Sequence, residues 1–321
     1  MKPELSSNTP LSGVLLLDKP TGFTSAQLIT KVKRQLRLRK HKIGHTGTLD
    51  PLATGLLPLL LGEATKFAQY LLKSDKTYIV TGQLGQKTNT ADSDGEVIEE
   101  AAIPHDWPLR LSDVIPLFKG KIKQVPPAFS ALKQNGVPLH QLARAGKEIN
   151  IAAREITIIE IEILKVDREQ AQFQLKVSCG TGTYIRSLIE DIAQALGTVA
   201  HVIQLRREKT GPFTIDSALT LENVNASDTV RLLPVDSLIM HFPAVTLDPS
   251  CCQRLRYGQR VPVDNTTISQ TKPFHLDIAN GQQSLVEGGT YRFYDEQGAL
   301  GGLIEIKCNV IHPLRLLSVD E

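Results

Sequence analysis

The sequence predicts an α+β fold, a mixed chain of helices and antiparallel strands that ends in a small β-rich module. Three observations predict it. Residues 171–179 alternate strictly, with Ala171, Phe173, Leu175, Val177 and Cys179 set against Gln172, Gln174, Lys176 and Ser178. That is the pattern of a strand buried on one face and wet on the other, as in an antiparallel sheet. Other segments have helical period instead: Leu28, Ile29, Val32 and Leu36, then Ile185, Leu188, Ile189, Ile192 and Leu196. After Pro243 the texture changes again, to strand-like runs at 290–294, 303–306 and 313–317 around a turn at 295–298.

With 321 residues, 41% of them hydrophobic, the chain suits a main domain plus a smaller one. The boundary is expected near 245–250, giving a main domain over 1–247 and a module over 248–321. In order, residues 13–18 read as a short buried strand that Pro20-Thr21-Gly22 closes with turn chemistry. Thr24 or Ser25 can cap the first helix, whose Lys31, Arg34 and Arg37 fall opposite its apolar stripe and therefore on the surface. Residues 56–61 form a second apolar run, and Ala64, Phe67, Ala68 and Leu71 suggest a short amphipathic helix. Tyr78, Ile79 and Val80 mark a strand over 77–81. The acidic stretch from 91 to about 108 has no period and reads as an exposed connection. Helical pattern returns over 111–118. Residues 124–140, with Pro126-Pro127, Gly136 and Pro138, read as a long irregular insertion, a kind of segment that in compact domains is functional or disordered. Residues 156–166 are a plausible partner of the alternating strand, Thr183 is expected to cap the second helix, and residues 201–207 form a further strand ending in Leu205-Arg206-Arg207.

Bulk properties narrow the function. No apolar run approaches the length of a bilayer span, and the run at 14–17 is too short and wrongly flanked by Asp18-Lys19-Pro20 for a signal peptide; a cytoplasmic protein is expected. Cys179, Cys251, Cys252 and Cys308 show no CxxC spacing, which argues for free thiols over a disulfide framework or a thiolate zinc site. Net charge is +2 but unevenly spread. Residues 31–42 carry seven Lys or Arg and no acid, whereas 92–106 carry six acids and no Lys or Arg. A basic stripe on a near-neutral chain suggests one polyanion-binding face, against the plainer reading of a solvated helix surface.

The stretch Gly44-His45-Thr46-Gly47-Thr48-Leu49-Asp50-Pro51-Leu52-Ala53-Thr54-Gly55 holds the candidate working residue. Asp50 precedes a proline, which biases it towards extended backbone, and the glycines around it leave room for a ligand or a sharp turn. By itself an Asp in such a loop is ordinarily a turn-former. Arg186 changes the balance: it lies in the first turn of a helix, where the dipole disfavours a cation, so an anion such as the Asp50 carboxylate would explain it. Pairing would hold that carboxylate ionised and oriented. Tyr78 and Tyr184 suit core or rim positions, and in an RNA enzyme become candidates for stacking on an extruded base. His41, His45 and Asp50 raise the alternative of a metal site, but no second acidic or histidine cluster completes it.

Taken in order, the runs Gly13-Val14-Leu15-Leu16-Leu17-Asp18-Lys19-Pro20, the Asp50 loop, Leu61-Gly62-Glu63-Ala64-Thr65-Lys66, Lys76-Thr77-Tyr78, Ser130-Ala131-Leu132-Lys133, Gly182-Thr183-Tyr184-Ile185-Arg186 and His201-Val202-Ile203-Gln204-Leu205-Arg206-Arg207 resemble the TruB-type tRNA pseudouridine synthases. The C-terminal Val286-Glu287-Gly288-Gly289, the 295–298 turn and Pro313-Leu314-Arg315 more weakly resemble the PUA RNA-binding module. The resemblance implies an α+β catalytic domain around a central, mainly antiparallel sheet, with an RNA-gripping insertion over about 124–152. It implies isomerisation of the T-loop uridine of tRNA (position 55 in tRNA numbering) to pseudouridine, with no cofactor and no metal. It also implies a stand-alone bacterial type, a monomer with the T-arm stem-loop as partner and no obligatory guide RNA or membrane.

Carried over by motif, Asp50 is the catalytic carboxylate, acting at C1′ or C6 or promoting a glycal, and Arg186 is its ion-pair partner. Tyr78 stacks on the flipped uracil and moves a proton. Tyr184 and Leu205 line the base pocket, His45 occupies the gap left by the base, and Lys19 is counted among the substrate-binding residues. The basic helix at 25–40 and the insertion supply phosphate contacts that offset unstacking, which costs a few kcal/mol. Phe129, His140 and Ile79 depart from the family pattern, the first two in the insertion. The rival readings are an RNA-binding or RNA-folding protein on the same scaffold without catalysis, and a metal-dependent hydrolase using His41, His45 and Asp50.

Overall fold

The computed structural model describes residues 11–134, 136–146, 149–224, 232–263, 268–272 and 287–318. Val286, part of the C-terminal signature, and the polar residues 1–10 lie outside them. Among the described residues, the main sheet has ten strands. It runs Leu219–Thr220, Gly13–Lys19, Thr54–Leu61, Ala200–Thr210, Lys76–Leu84, Gln172–Cys179, Arg154–Asp167, Gly120–Gln124, with Ile43–His45 and Phe213–Thr214 joined at its sides. Only the pairings of Gly13–Lys19 with Leu219–Thr220 and of Arg206-Arg207 with Thr54-Gly55 are parallel. The α+β expectation holds.

The alternating segment is a strand whose Phe173, Leu175, Val177 and Cys179 are buried while the residues between them reach partly into solvent. Ala171 belongs instead to the turn before it, with φ 50°. Helix Ile185–Leu196 lays Ile185, Leu188, Ile189, Ile192 and Leu196 into the same core and ends on Gly197 in the left-handed conformation. Helix Ser25–Gln35 starts with a capping box: Thr24 accepts from the Gln27 backbone N–H and the Gln27 side chain accepts from that of Thr24. Leu28 and Val32 face the core, and Lys31, Arg34 and Arg37 are exposed, as the periodicity required.

Two local expectations are corrected. Thr183 does not cap its helix; its hydroxyl donates to the Gly180 carbonyl. The helix instead begins at Ile185, and the Gln124 side-chain amide receives the Tyr184 N–H and donates to the Tyr184 carbonyl, an anchorage supplied from 60 residues away in sequence. Nor is the acidic stretch wholly exposed. Ala91 and Asp92 are buried, Val97–Glu100 pairs with Gln86–Thr88, and Trp107, packed at a tilt against Phe173, opens helix Trp107–Val114. The insertion is less irregular than its composition suggests: it contains a small hairpin, Lys133–Gln134 with Val137–Pro138, and helix Leu139–Arg144.

One feature of the main sheet prepares the site. Strand Thr54–Leu61 pairs along its whole length with Gly13–Lys19, but its other edge is divided between Arg206-Arg207 at the start and Ile43–His45 at the end. The sheet therefore splits, and the loop of residues 46–53 bridges the split. Arg207 plugs it: 1% exposed, it donates through Nε to the Leu56 carbonyl at 2.7 Å and through Nη2 to that of Gly47 at 3.1 Å. Gly55 (φ 102°) abuts this point so closely that a Cβ would overlap the Arg207 backbone.

A second, six-stranded sheet comprises Ala244–Leu247, Val261–Pro262, Ile268–Lys272, Thr290–Tyr294, Leu300–Lys307 and Val310–Leu316, flanked by helix Pro249–Arg256. It begins at Ala244, ahead of residue 248. Val245, Leu255, Phe293, Ile304 and Ile311 give it a core of its own, while Leu303 packs into a cluster with Val14, Leu60 and Phe67 of the main domain. Its far end is clasped as well. Lys66 donates to the Leu316 carbonyl and the Ser318 hydroxyl, and Glu63 accepts from the Ser318 N–H at 2.6 Å.

Candidate active site

The Asp50 loop is held from beneath. Lys19 is fully buried, and its ammonium donates to the carbonyls of Ala53 (2.6 Å), Pro20 (3.0 Å) and Pro51 (3.2 Å). Ser25 accepts from the Leu49 N–H and donates to the Leu49 carbonyl. With Leu49 buried on one side of Asp50 and the Pro51 carbonyl fixed on the other, the Asp50 side chain is left facing outward.

Arg186 meets it there. Its Nε lies 3.0 Å from Asp50 Oδ2. Arg186, 5% exposed, is engaged at its other two nitrogens as well: Nη1 donates to the Thr90 carbonyl at 2.6 Å and lies 3.6 Å from Asp92 Oδ2, and Nη2 donates to the Phe129 carbonyl at 2.9 Å. A planar fork held at all its corners presents one edge to Asp50 in a fixed orientation. Thr90 fixes Asp92 in turn, its hydroxyl donating to Asp92 Oδ1. Enclosure pushes the Asp50 carboxyl above the ordinary carboxylate range; Arg186 works against this shift and Asp92 with it.

A cavity of about 290 Å³ opens beside this pair, walled by Asp50, Tyr78, Tyr184, Arg186 and Leu205, with Lys76 and Arg207 among its further lining. Burial pushes the Tyr78 phenol up, opposed by the charge of Arg207 and a hydrogen bond to it. Burial also pushes the Tyr184 phenol up and, assisted by Arg207, lowers the Lys76 ammonium to about 8. Aromatic and aliphatic walls from Tyr78, Tyr184, Ile185 and Leu205, set among charged groups and hydroxyls, suit a flat heterocycle with polar edges.

The structure thus brings together five of the seven residues expected at the site. Lys19 and His45 do not line the cavity. Lys19, expected to touch substrate, is spent on three loop carbonyls and positions Asp50 from below. His45 pairs with Leu59 at the side of the sheet. Its Nδ1 is buried without a hydrogen-bond partner among the described residues, and burial lowers its pKa. His41, His45 and Asp50 do not converge, and no group of three or more His, Cys, Asp or Glu able to hold a metal exists among the described residues. Of the departures, Phe129 contributes its carbonyl to Arg186 whatever its ring carries, and Ile79 lies on the sheet face opposite Tyr78. The His140 side chain lies outside the described part.

Comparison with known proteins gives the family. Residues 33–185 match the N-terminal domain of the TruB family pseudouridylate synthases, and residues 186–239 match the tRNA pseudouridylate synthase B C-terminal domain. The chain belongs to the TruB family. TruB relatives over nearly its whole length include tRNA pseudouridine synthase B of Ralstonia pickettii, 47% identical over 99% of this chain and 98% of the relative. That of Cupriavidus metallidurans is 44% identical over 96% and 94%. A crystal structure of a Cbf5-Nop10-Gar1 complex superposes with a TM-score of 0.65 at 26% identity, covering 96% of this chain and 84% of that one. Within this TruB chain, residue-by-residue reading missed Asp92, Lys76, Arg207 and Gln124 as parts of the site. Lys76 and Arg207 were visible in motifs without a role attached. Asp92 and Gln124 carry no local signal, since their partners are distant in sequence. No helix among the described residues is long and apolar enough to cross a membrane.

Proposed function

We infer that the protein isomerises a tRNA uridine to pseudouridine, that the uridine is the one in the T-loop, and that Asp50 is the catalytic carboxylate. The observation that carries this reading is the buried, fully engaged Arg186 aimed at Asp50 at the mouth of a base-sized cavity. The relatives' shared name supports tRNA as substrate.

In this reaction the bond from C1′ to N1 breaks, a bond from C1′ to C5 forms, the C5 hydrogen leaves to solvent as a proton and N1 takes up a proton in its place. Product and substrate have the same atoms, so no reductant, oxidant or group donor is consumed. The flipped uracil stacks on Tyr78 with Leu205 and Tyr184 closing the pocket. Its sugar stays at the mouth, within reach of Asp50. The ionised carboxylate acts at the sugar–base junction, and Arg186 keeps it charged and pointed there despite the enclosure that favours its neutral form. Tyr78, buried and hydrogen-bonded to Arg207, is placed to stack and to shuttle a proton. The exposed Lys31, Arg34 and Arg37 and the insertion after Gln124 grip the phosphates of the T-arm, offsetting the cost of unstacking the base. Residues 248–321 serve as a PUA-like second RNA contact to the catalytic 1–247, and the enzyme works alone, as a monomer without a guide RNA, in the cytoplasm.

Release of the C5 hydrogen from a T-arm stem-loop tests the proposal, because the reaction leaves the mass unchanged. Wild type is expected to release it and Asp50→Asn to bind the RNA without release. A wild-type protein that releases none overturns the assignment.

A further inference from the structure

Arg186 is committed to Asp50 and Asp92, and Arg207 to Leu56, Gly47 and Tyr78. A third cation in the cavity wall has no such commitment. Lys76, 8% exposed, donates to the carbonyls of Ser74 (2.7 Å) and Leu72 (3.1 Å). That leaves one of its three N–H groups without a partner among the described residues. A buried ammonium with an incomplete hydrogen-bond shell is costly unless something completes it.

The chemistry of the base says what would. Asp50, whose side chain is 35% exposed, stands at the mouth, so the sugar-linked N1 of an inserted uracil must lie at that end. Lys76 lines the same cavity and is the more enclosed of the two, 8% exposed, which sets it at the inner end. The atom across the six-membered ring from N1 is C4, so O4 is the oxygen that reaches the deep end. To become pseudouridine the detached base turns about its N3–C6 axis, which brings C5 to the position N1 held. The same turn exchanges O4 with O2, and O2 then points to the deep end.

We propose that the Lys76 ammonium donates its remaining N–H to O4 of the inserted uracil and, after the base has turned, to O2. One fixed donor then holds the base on both sides of the rotation. The same contact selects the base, since cytosine presents an amino group at position 4, a donor facing a cation. The low pKa of Lys76, caused by burial and the neighbouring Arg207, fits a charge awaiting an acceptor.

This inference rests on the pseudouridine synthase reading, and the experiment separates the two. In an Asp50→Asn background, which stops turnover, affinity is measured for T-arm stem-loops carrying uridine or cytidine at the target position. The parent is expected to prefer uridine by about ten- to a hundred-fold, the usual worth of a hydrogen bond to a charged group. Adding Lys76→Met should erase the preference by weakening the uridine complex while leaving the cytidine complex as tight or tighter, and Lys76→Arg should restore part of it. With Asp50 intact, Lys76→Met should lower kcat for C5-hydrogen release by a similar factor. An undiminished preference in Lys76→Met, or a parallel fall in both affinities, overturns the proposal, the second outcome marking a merely structural lysine. A wild-type protein without C5-hydrogen release would instead sink the underlying reading.

Discussion

Replacing Arg186 with methionine tests the central pair most directly. The guanidinium is 5% exposed and meets Asp50, Asp92 and the carbonyls of Thr90 and Phe129. Methionine fills much of the volume and restores none of these contacts. Breaking a buried pair typically costs 3–5 kcal/mol; because Asp50 opens to the cavity, about 3 kcal/mol of stability is expected here. The effect on activity is larger. A cation this close favours the ionised carboxylate, and without it enclosure and Asp92 both drive the Asp50 carboxyl upward. Less carboxylate is then present at neutral pH. Lost orientation of the carboxylate costs on the order of a hundred-fold as well, so kcat at neutral pH should fall by more than about a hundred-fold. The sign is specific: as the pKa rises, activity must move to higher pH. C5-hydrogen release across pH should show kcat of Arg186→Met still climbing with pH where wild type is flat. Adding Asp92→Asn should recover part of the loss, since it removes the second acid facing Asp50. A variant as flat with pH as wild type would falsify the ion-pair argument.

Three further outcomes follow from the same geometry. Lys19→Met should lower thermal stability by several kcal/mol and reduce kcat with little change in RNA affinity, because it strands two carbonyls of the Asp50 loop and that of Pro20; an RNA-binding defect with normal kcat would return Lys19 to the substrate. Gly55→Ala should fail to fold or melt far below wild type, since the Cβ overlaps the Arg207 backbone at a φ of 102°, and a wild-type melting curve would contradict the split-sheet account. RNA affinity should fall steeply with salt, and replacing Lys31, Arg34 and Arg37 together with alanine should flatten the log–log slope by about 2–3; an unchanged slope removes the first helix from the RNA interface.

Much of this site was legible in the sequence because its parts announce themselves locally. Asp50 stands in a loop of glycines before a proline, and Arg186 occupies a helix start where only a nearby anion makes a cation welcome. The α+β class was equally legible, since strict alternation over 172–179 and the stripe of helix Ile185–Leu196 leave few other folds. What stayed hidden depends on contacts across the chain. Asp92 has the same sequence texture as Asp94 and Glu96, and only the tertiary path turns it inward to Arg186. The anchorage of the Arg186 helix was assigned to adjacent Thr183, whereas Gln124 supplies it from another strand. The sequence places Lys19 among the substrate-binding residues, and nothing local to it signals that its ammonium turns inward to the carbonyls of Pro20, Pro51 and Ala53.

The clasp of Lys66 and Glu63 on residues 316–318 gives the second sheet two moorings on the main domain, the covalent one before Ala244 and this one at its last strand. A body tied at one point can swivel; tied at two, with Leu303 wedged between, it keeps a set span to the cavity. With that sheet as the second RNA contact proposed above, the molecule would behave as a calliper, admitting a rigid RNA arm only when the distance from its grip to its reactive base matches the opening between the jaws.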